Sequence, residues 1–309
     1  MTGAERSHDL QRSHDPDRFS TLSRTRTTDE HEGTTLTMTQ PLLPLQPLLH
    51  DSVVVLTAPS QAWSAPDGRI DGHGIHGFYH SDVRVLGRAL LSVGGAVPEH
   101  IATAGPDAAT AVFTALARGL DDATADPRVR VDQTRTVNAG SLAERIVLRN
   151  ALGTAIRTTV EVELRADFTP MQMIKAGLAG PEHPVIATST SAREAVLRSG
   201  PVSARVTAEG ADVEVTEETV FLRWEIEVPA HDELALTWRV EVFDPTAVVA
   251  GAAPSENWSA FRATTGDSRL ASWLGRAVGD LQALRMSTVE HPDEVFLAAG
   301  APWFFTLFG

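Results

Sequence analysis

The chain has 309 residues, a net charge of −14 and no cysteine, and 42% of its residues are hydrophobic. The acidic balance argues against nucleic acid and anionic membranes as partners, because phosphate binding needs a basic surface, and no stretch approaches the roughly 20 apolar residues of a membrane helix. Without cysteine there are no disulfides or thiolate metal sites, and without a signal-like apolar segment we expect a cytoplasmic protein.

The first segment, residues 1–40, is rich in Thr, Ser, Arg, Asp and Glu and contains the repeat RSHDLQRSHD. Such a composition cannot bury enough apolar surface to offset the entropy lost on ordering, so we expect a disordered tail. Two interpretations stay open for it. It is either a regulatory or interaction tail, or a segment upstream of a true translation start at Met38.

Residues 48–246 are expected to form one large antiparallel β-(super)sandwich of roughly a dozen strands. Val, Ile, Thr, Leu and aromatic residues alternate with Arg, Glu and Asp, a pattern typical of strands with one buried and one solvated face. The clearest such segments are 129–137, 145–150, 158–168, 203–228 and 233–243. Turn residues separate them, and Gly94-Gly95 predicts a hairpin turn. Segment 108–119 is ambiguous between helix and strand.

Residues 247–290 are expected to form a linker and one helix. The linker, 247–255, consists mainly of small residues, and the helix is predicted over 267–286 with Asp267 as its N-cap. Apolar residues recur there at the i, i+3 and i+4 spacing of one helix face, namely Leu270, Trp273, Leu274, Ala277, Val278, Leu281 and Leu284. This face should pack on the sandwich or on something beyond residue 309.

The densest polar cluster of the sequence lies at 69–84. It holds His73, His76 and His80 together with Asp71 and Asp82, which could form a zinc site or an acid–base pair. Their spacing matches no compact metal motif, and the surrounding glycines suit a turning loop better than a fixed set of ligands. We therefore expect no metal here.

Asp82 and Arg84 are two residues apart on an expected strand, so they should share a face of the sheet. The prediction is a structural ion pair that anchors a strand at a domain boundary. The alternative is a contact with a polyhydroxyl ligand.

The common catalytic motifs are missing from the sequence. It has no nucleophile elbow, phosphate-binding loop or HExxH motif, and no two of its carboxylates stand out as a glycosidase acid and base. The residues alone therefore identify no catalytic residue, and we expect no cofactor.

The last segment, 291–309, ends in a cluster of aromatic residues that includes Trp303, Phe304 and Phe305. Aromatic faces pack well against the C–H faces of a pyranose ring. Such a cluster is equally compatible with a plug in the core, and the residues alone leave both interpretations open.

Three segments, 77–95, 149–177 and 298–309, together resemble the amino-terminal domain of bacterial glycogen debranching enzymes, the amylo-α-1,6-glucosidase family. The resemblance covers roughly 49–309. The first segment is similar to the family stretch G-[LF]-[FY]-x-x-D-[TV]-R through Gly77, Phe78, Tyr79, Asp82, Val83 and Arg84.

The other two segments resemble the family to different extents. Ala166, Asp167 and Phe168 match its A-D-F strand end, but MQMIKAG follows where the family tends to have an acidic, Arg-Gly-containing run. The third segment, AAGAPWFFTLFG, is similar to A-G-x-P-W-F-x-x-x-F-G-R-D and stops one residue before the Arg-Asp.

The resemblance implies a β-supersandwich, a helical linker and an (α/α)6 barrel, of which 291–309 would be the truncated start. The catalytic acid and base would lie beyond Gly309 in that C-terminal (α/α)6 catalytic domain, and hydrolysis of α-1,6 bonds would invert the anomeric carbon. The implied ligand is an α-glucan or oligosaccharide.

Particular residues take their roles from the same resemblance. It implies substrate contacts for Trp303, Phe304 and Phe305 at the rim of the barrel, and a position at the domain interface for Asp82, Arg84 and Trp273. A non-catalytic carbohydrate-binding β-sandwich module is the alternative.

Overall fold

The computed structural model describes residues 49–122, 126–178, 180–253, 262 and 264–302. Within these ranges the chain is mainly β, and every strand pair is antiparallel, so the predicted fold class is confirmed at this level. In chain order the strands are β1 (Val53–Thr57), β2 (Ser60–Ser64), β3 (Gly77–His80), β4 (Val83–Val93), β5 (Glu99–Asp107), β6 (Thr110–Leu116), β7 (Val129–Asn138), β8 (Ser141–Asn150), β9 (Ile156–Pro170), β10 (Val185–Ser191), β11 (Glu194–Ser199), β12 (Val202–Ala208), β13 (Asp212–Thr216), β14 (Thr219–Val228), β15 (Asp232–Phe243), β16 (Val249–Gly251), β17 (Arg285–Thr288) and β18 (Phe296–Leu297).

Two large sheets make up the sandwich. One has seven strands in the order β1-β2-β3-β4-β9-β14-β13, and the other has eight in the order β10-β11-β12-β15-β8-β7-β6-β5. The strands follow the predicted segments because alternating apolar residues bury one face. The ambiguous segment contains β6, in which Ala111 and Phe113 point into the core. Gly94-Gly95 form a tight two-residue turn, with φ of 61° and 75° and a single bridge between Val93 and Ala96. The predicted hairpin is wrong, because the strands on either side, β4 and β5, belong to different sheets.

The core fills the space between the two sheets. Its largest fully buried apolar side chains are Trp238, Phe78, Ile70, Leu86, Leu142, Ile146, Leu148, Leu164 and Leu197. Fully burying one such side chain contributes roughly 1.5–3 kcal/mol, so this layer supplies most of the favourable free energy of folding.

A buried ion pair interrupts this apolar core. Arg135 of β7 and Glu144 of β8 point inward, each side chain is 1% exposed, and Arg135 Nη2 lies 2.7 Å from Glu144 Oε1. Gln133 Nε2 donates to the other carboxylate oxygen at 2.7 Å, and Arg135 Nη2 donates to the Gly68 carbonyl at 2.6 Å. The sequence pattern places Arg and Glu on the solvated face, and for these two residues that expectation is wrong because their opposite charges pair inside the core.

The segment after the sandwich forms helix α2 and a third sheet, while the short helix α1 (Met171–Lys175) follows β9. α2 (Ser268–Ala283) begins where predicted, and its N-cap Asp267 accepts from the backbone N–H of Arg269. The third sheet has the order β16-β17-β18. Val249–Gly251, within the predicted linker, form its edge strand, which is too short to carry an alternating pattern.

The barrel start remains a prediction. Within 291–302 the structure has only the two-residue strand β18 as regular structure, and 303–309 lie outside the described residues, as does the predicted tail 1–40. Neither of the two α-helices in the described ranges is both long and apolar enough to cross a membrane.

Candidate functional site

The outer face of the seven-stranded sheet is covered at β2 and β3, which is unusual for a sandwich strand. All five residues of β2 are buried, so this strand has protein on both of its faces. Ala62 belongs to the main core, whereas Trp63 points to the other side. A second apolar cluster is therefore built on the outer face. This outer cluster consists of Trp63, Ile75, Tyr79, Met171 and Ile174.

Tyr79 fixes the loop before β3 against the outer cluster. Its hydroxyl donates to the Ile75 carbonyl at 2.7 Å, and burial raises the pKa of this phenol well above its usual value despite the nearby positive charge of Arg84. The tyrosine therefore stays neutral and acts as a hydrogen-bond donor that holds the loop.

Arg84 is the central charged group beneath that loop. It is 4% exposed, and its guanidinium donates to the carbonyls of Gly74 at 3.1 Å and His76 at 3.3 Å. Its Nη2 donates to Asp167 Oδ2 at 2.8 Å. Burial disfavours its charge, but the Asp167 carboxylate holds the pKa of Arg84 above its ordinary value. Arg84 thus ties one loop and two strands together.

Two glycines leave the space that this arrangement needs. A Cβ on Gly77 would lie 2.3 Å from Cδ of Arg84, and one on Gly87 would lie 2.7 Å from Oδ2 of Asp167. Both distances are far below van der Waals contact. The glycine that opens the 77–84 motif is therefore required by the arginine that closes it.

Asp167 is held from two directions. Its Oδ1 accepts from the backbone N–H of Thr169 at 2.9 Å, while its Oδ2 meets Arg84. Between them Phe168 adopts a left-handed backbone with φ of 56°, a conformation that is uncommon outside glycine. The A-D-F strand end is therefore a bend that aims its carboxylate back at β4.

The ion pair predicted between Asp82 and Arg84 is wrong. Asp82 lies in the two-residue turn that joins β3 to β4, after Ser81 with φ of 51°, so it is outside the alternation of the strand. The carboxylate partner of Arg84 is Asp167, which is 83 residues away in sequence. Asp82 instead uses its backbone carbonyl, which accepts from the N–H of Met171 at 2.7 Å and so anchors α1.

The histidines of the loop are not brought together. His76 Nδ1 lies 2.7 Å from Asp71 Oδ1, whereas His80 Nδ1 lies 2.8 Å from Ser60 Oγ. Burial alone would raise the pKa of Asp71, but the backbone N–H of His73 and the ring of His76 hold it below its usual value. Across the described ranges, no group of three or more His, Cys, Asp or Glu side chains is placed to hold a metal ion.

A cavity of about 400 Å³ opens beside Arg84 and Asp167. Its other charged lining residues are Asp71, Arg88, Arg165 and Glu218. Arg88 is paired with Glu163 at 2.8 Å and Arg165 with Glu218 at 3.3 Å. Because the charges are balanced and tied to one another, the cavity suits a structural or binding role better than proton transfer.

The segment that leads toward the predicted aromatic residues is attached to this same face. Gln61 Nε2 donates to the Pro302 carbonyl at 3.1 Å, and Trp63 Nε1 donates to Gln61 Oε1 at 2.8 Å. Ala301 packs against the outer cluster. Trp303, Phe304 and Phe305 themselves lie outside the described residues.

Trp273 lies on α2 and is 67% exposed. No residue of this helix is buried, and Leu270 and Leu281 are each 41% exposed. α2 touches the sandwich through polar contacts, such as the hydrogen bond from Arg276 Nη1 to the Gly105 carbonyl at 2.6 Å. The predicted apolar face therefore exists, but none of its residues within α2 is buried, while Leu284, just after the helix, packs against Ala58, Met286 and Ala298.

Sequence reasoning missed two residues of this site. Gln61 could have been found as an amide beside Ala62 and Trp63 in a short segment, and Asp167 as the carboxylate of a matched motif. Neither signal identifies the partner, because Pro302 is 241 residues from Gln61 and Arg84 is 83 residues from Asp167 in the sequence.

Comparison with solved structures gives matches of low identity. A candidate kojibiose phosphorylase from the human microbiome is similar at 9% identity and a TM-score of 0.47, over 63% of this chain and 30% of that chain. A galactose mutarotase-like protein from Clostridium acetobutylicum is similar at 6% identity and a TM-score of 0.42, over 62% of this chain and 95% of that chain. A galactose mutarotase-like protein from Lactobacillus casei is similar at 9% identity and a TM-score of 0.40, over 62% of this chain and 100% of that chain.

Comparison of sequences gives the family. No curated protein is a significant match. A family model described as the N-terminal domain of (some) glycogen debranching enzymes matches residues 55–239, which include nearly all strands of both large sheets, the Arg84–Asp167 pair and the outer cluster. The chain therefore belongs to the family of N-terminal domains found in some glycogen debranching enzymes.

Proposed function

We propose that this chain acts as the N-terminal domain of a glycogen debranching enzyme-like glycoside hydrolase whose substrate is glycogen or a related α-glucan. The observation that carries the proposal is the family match across 55–239. The hydrolysis itself, cleavage of α-1,6 bonds with inversion at the anomeric carbon, belongs in this proposal to an (α/α)6 catalytic domain. This chain supplies the surface on which that domain rests.

The charged residues of the candidate site favour a structural role over a catalytic one. A glycosidase acid needs a carboxyl group with a raised pKa, able to donate a proton at neutral pH. Asp71 has the opposite perturbation, and Asp167 is occupied by Arg84 and Thr169. Burial does raise the pKa of Asp82, but this residue does not line the cavity beside Arg84. We therefore assign no catalytic residue to the described part of this chain.

The proposed interface with the catalytic domain has two parts. One is the outer cluster, where the Pro302 carbonyl is bound by Gln61, and where Arg84 and Asp82 hold the loop and α1 in place. The other is the exposed apolar side of α2 around Trp273, since exposed apolar patches commonly mark protein contacts. Asp82 and Arg84 act indirectly, and Trp273 makes contact directly.

Trp303, Phe304 and Phe305 are proposed to stack against sugar rings at the rim of the substrate site. What supports this is their aromatic chemistry and the attachment of residues 301–302 to the outer cluster.

The first experiment measures glucose released from a branched maltooligosaccharide by the purified chain. We expect no release above the buffer rate, because the proposed acid and base belong to another domain. Release that rises in proportion to the concentration of this chain would refute the assignment.

A second experiment tests the interface. An (α/α)6 catalytic domain from the same family, expressed separately, should co-purify with this chain, and Trp273→Glu should abolish or strongly reduce the recovery. Arg269→Ala is the matched control on the same helix, since that side chain is 91% exposed and polar. Equal loss of recovery with both variants would contradict a specific role for Trp273.

A further inference from the structure

A second binding surface lies on the opposite side of the sandwich from the outer cluster. There the outer face of the eight-stranded sheet carries a groove of about 710 Å³, within the range of ordinary ligand sites. It crosses β7, β8, β15 and β12 and reaches β11. We refer to it as the sheet groove.

Strand register determines which side chains point into the sheet groove. Arg145 of β8 lies opposite Thr134 of β7 on one side and Thr237 of β15 on the other. The next row runs Thr136, Ala143, Arg239, Thr207 and Glu194 across five strands. Residues between these rows, such as Trp238, are buried in the core, so the rows face outward. With about 4.8 Å between strands, the second row spans about 19 Å.

Two of the three arginines that line the sheet groove have a guanidinium group with no partner among the described residues. Arg145, Arg193 and Arg198 are the only arginines in the described part of the chain whose guanidinium has no hydrogen bond or ion pair within the protein, and the first two line the groove. Arg239 has only a long contact of 3.6 Å to Glu241. In a chain of net charge −14, two unpaired guanidinium groups in one groove are donors left for a ligand.

The hydroxyl groups around them are also unengaged. The side chains of Thr134, Thr136, Thr207 and Thr237 make no hydrogen bond within the described residues. Three glutamates also belong to the lining. Glu194, which accepts from Thr190 Oγ1 at 2.9 Å, and Glu209 offer their carboxylates to the groove, whereas the carboxylate of Glu144 is buried against Arg135. The groove thus offers cationic donors, anionic acceptors and hydroxyls that do both.

This mixture matches a neutral, polyhydroxylated chain better than an anion. Each sugar hydroxyl both donates and accepts, so it is satisfied by an arginine on one side and a carboxylate or threonine on the other. A purely anionic ligand would be repelled by Glu194 and Glu209. The width of several strands suits an oligosaccharide rather than a single sugar.

We propose that the sheet groove is a non-catalytic binding site for an α-glucan chain, with Arg145 as its central donor. The choice of α-glucan as the sugar rests on the proposed function. In the assembled enzyme this site would hold one branch of the polymer on the sandwich while another branch is cut in the catalytic domain.

The test is titration of the purified chain with maltoheptaose at millimolar concentration, followed by calorimetry or by chemical-shift changes. Arg145→Ala should weaken binding about tenfold or more, the amount expected from losing one charged hydrogen-bonding group. Thr237→Val should give a smaller loss. Because Arg145 has no partner among the residues that the structure describes, its removal leaves none of them unpaired, and the thermal unfolding temperature should not change.

Arg198→Ala is the matched control. It removes an equally unpaired arginine from the same sheet, four residues from Glu194 along β11 and outside the groove lining. Its affinity should equal that of the unaltered chain. The proposal is overturned if the unaltered chain shows no binding, or if Arg145→Ala and Arg198→Ala weaken binding equally.

The two proposals fail separately. Arg145→Ala should leave co-purification with a catalytic domain unchanged, because no residue that lines the groove belongs to α2 or to the outer cluster. If the chain binds no glucan but still co-purifies with the catalytic domain, only the proposal of a glucan site in the sheet groove is refuted. If the unaltered chain does not co-purify with the catalytic domain, the proposed function is refuted.

Discussion

Replacing Asp167 by Asn measures how much the charge pair beneath the outer cluster contributes to stability. The variant keeps the size of the side chain and its acceptor for the Thr169 N–H, but it leaves the Arg84 guanidinium buried without a countercharge. The Arg84 side chain is 5% exposed and that of Asp167 is 19% exposed. Breaking a buried pair from one side costs roughly 3–5 kcal/mol, and the partial exposure of Asp167 favours the lower end, about 3 kcal/mol.

Glu163→Gln is the matched control. Glu163 pairs with Arg88 at the same distance of 2.8 Å, but the two side chains are 28% and 39% exposed. A pair of this kind contributes about 1 kcal/mol or less, since water screens both charges. The two variants therefore differ in burial and share the same chemistry.

Urea unfolding followed by tryptophan fluorescence distinguishes the two. With an m-value of roughly 3 kcal/mol/M, the midpoint should fall by about 1 M for Asp167→Asn and by about 0.3 M or less for Glu163→Gln. Unequal m-values would show that the substitution had changed the compactness of the native or the denatured state. The stabilities would then have to be compared by calorimetry. Equal midpoint shifts in the two variants would refute the description of Arg84 as a buried charge that depends on Asp167.

Three further results are expected. Glu144→Gln should lower the free energy of unfolding by about 3–5 kcal/mol by leaving Arg135 charged in the core, whereas joint replacement of both residues by Met should restore most of it in a denaturant titration. Gly77→Ala should cost about 1–3 kcal/mol by overpacking against Arg84, and an unchanged melting temperature would contradict the close approach of the two residues. Burial lowers the pKa of His80 below 6.5, so stability should be fully present above pH 6.5 and fall as the pH drops below it, and His80→Gln should flatten this part of the pH profile.

Period-two alternation was enough to predict the fold class and the strands that lie within the five clearest segments, but not the remaining strands. β7, β9 and β15 match their predicted segments to within two residues at either end. Alternation shows which residues of a strand share a face. It does not show that a charged residue on the apolar face is buried there rather than turned to solvent. Arg135 and Glu144 face inward because each supplies the countercharge of the other, and that information lies in their pairing rather than in either segment.

Helix α2 could also be predicted from the sequence, but the surface that covers its apolar face could not. Asp267 and the spacing of Leu270, Trp273 and Leu281 specify α2 from local sequence alone. A hydrophobic face indicates that something covers it, but it does not identify the covering surface. The third sheet was missed because β16 and β18 have three and two residues and depend on β17 for their conformation.

The two segments that form the candidate site could be predicted from the sequence, but the pairing of Arg84 with Asp167 between them could not. The 77–84 and 166–168 segments stood out by resemblance, yet Arg84 was assigned to Asp82, its neighbour in sequence. The turn at Ser81 removes Asp82 from the strand, and the bend at Phe168 brings Asp167 in its place. Both depend on single left-handed residues, which leave little trace in composition.

The hydrogen bond between Gln61 and Pro302 has a consequence for how the protein is made. The two residues are 241 positions apart, so at ribosomal speeds the acceptor emerges on the order of tens of seconds after the donor. During that interval the outer cluster lacks its contact with Ala301. The outer cluster is thus completed only after every strand of the two large sheets has been synthesised, and until then its apolar surface is open to a chaperone.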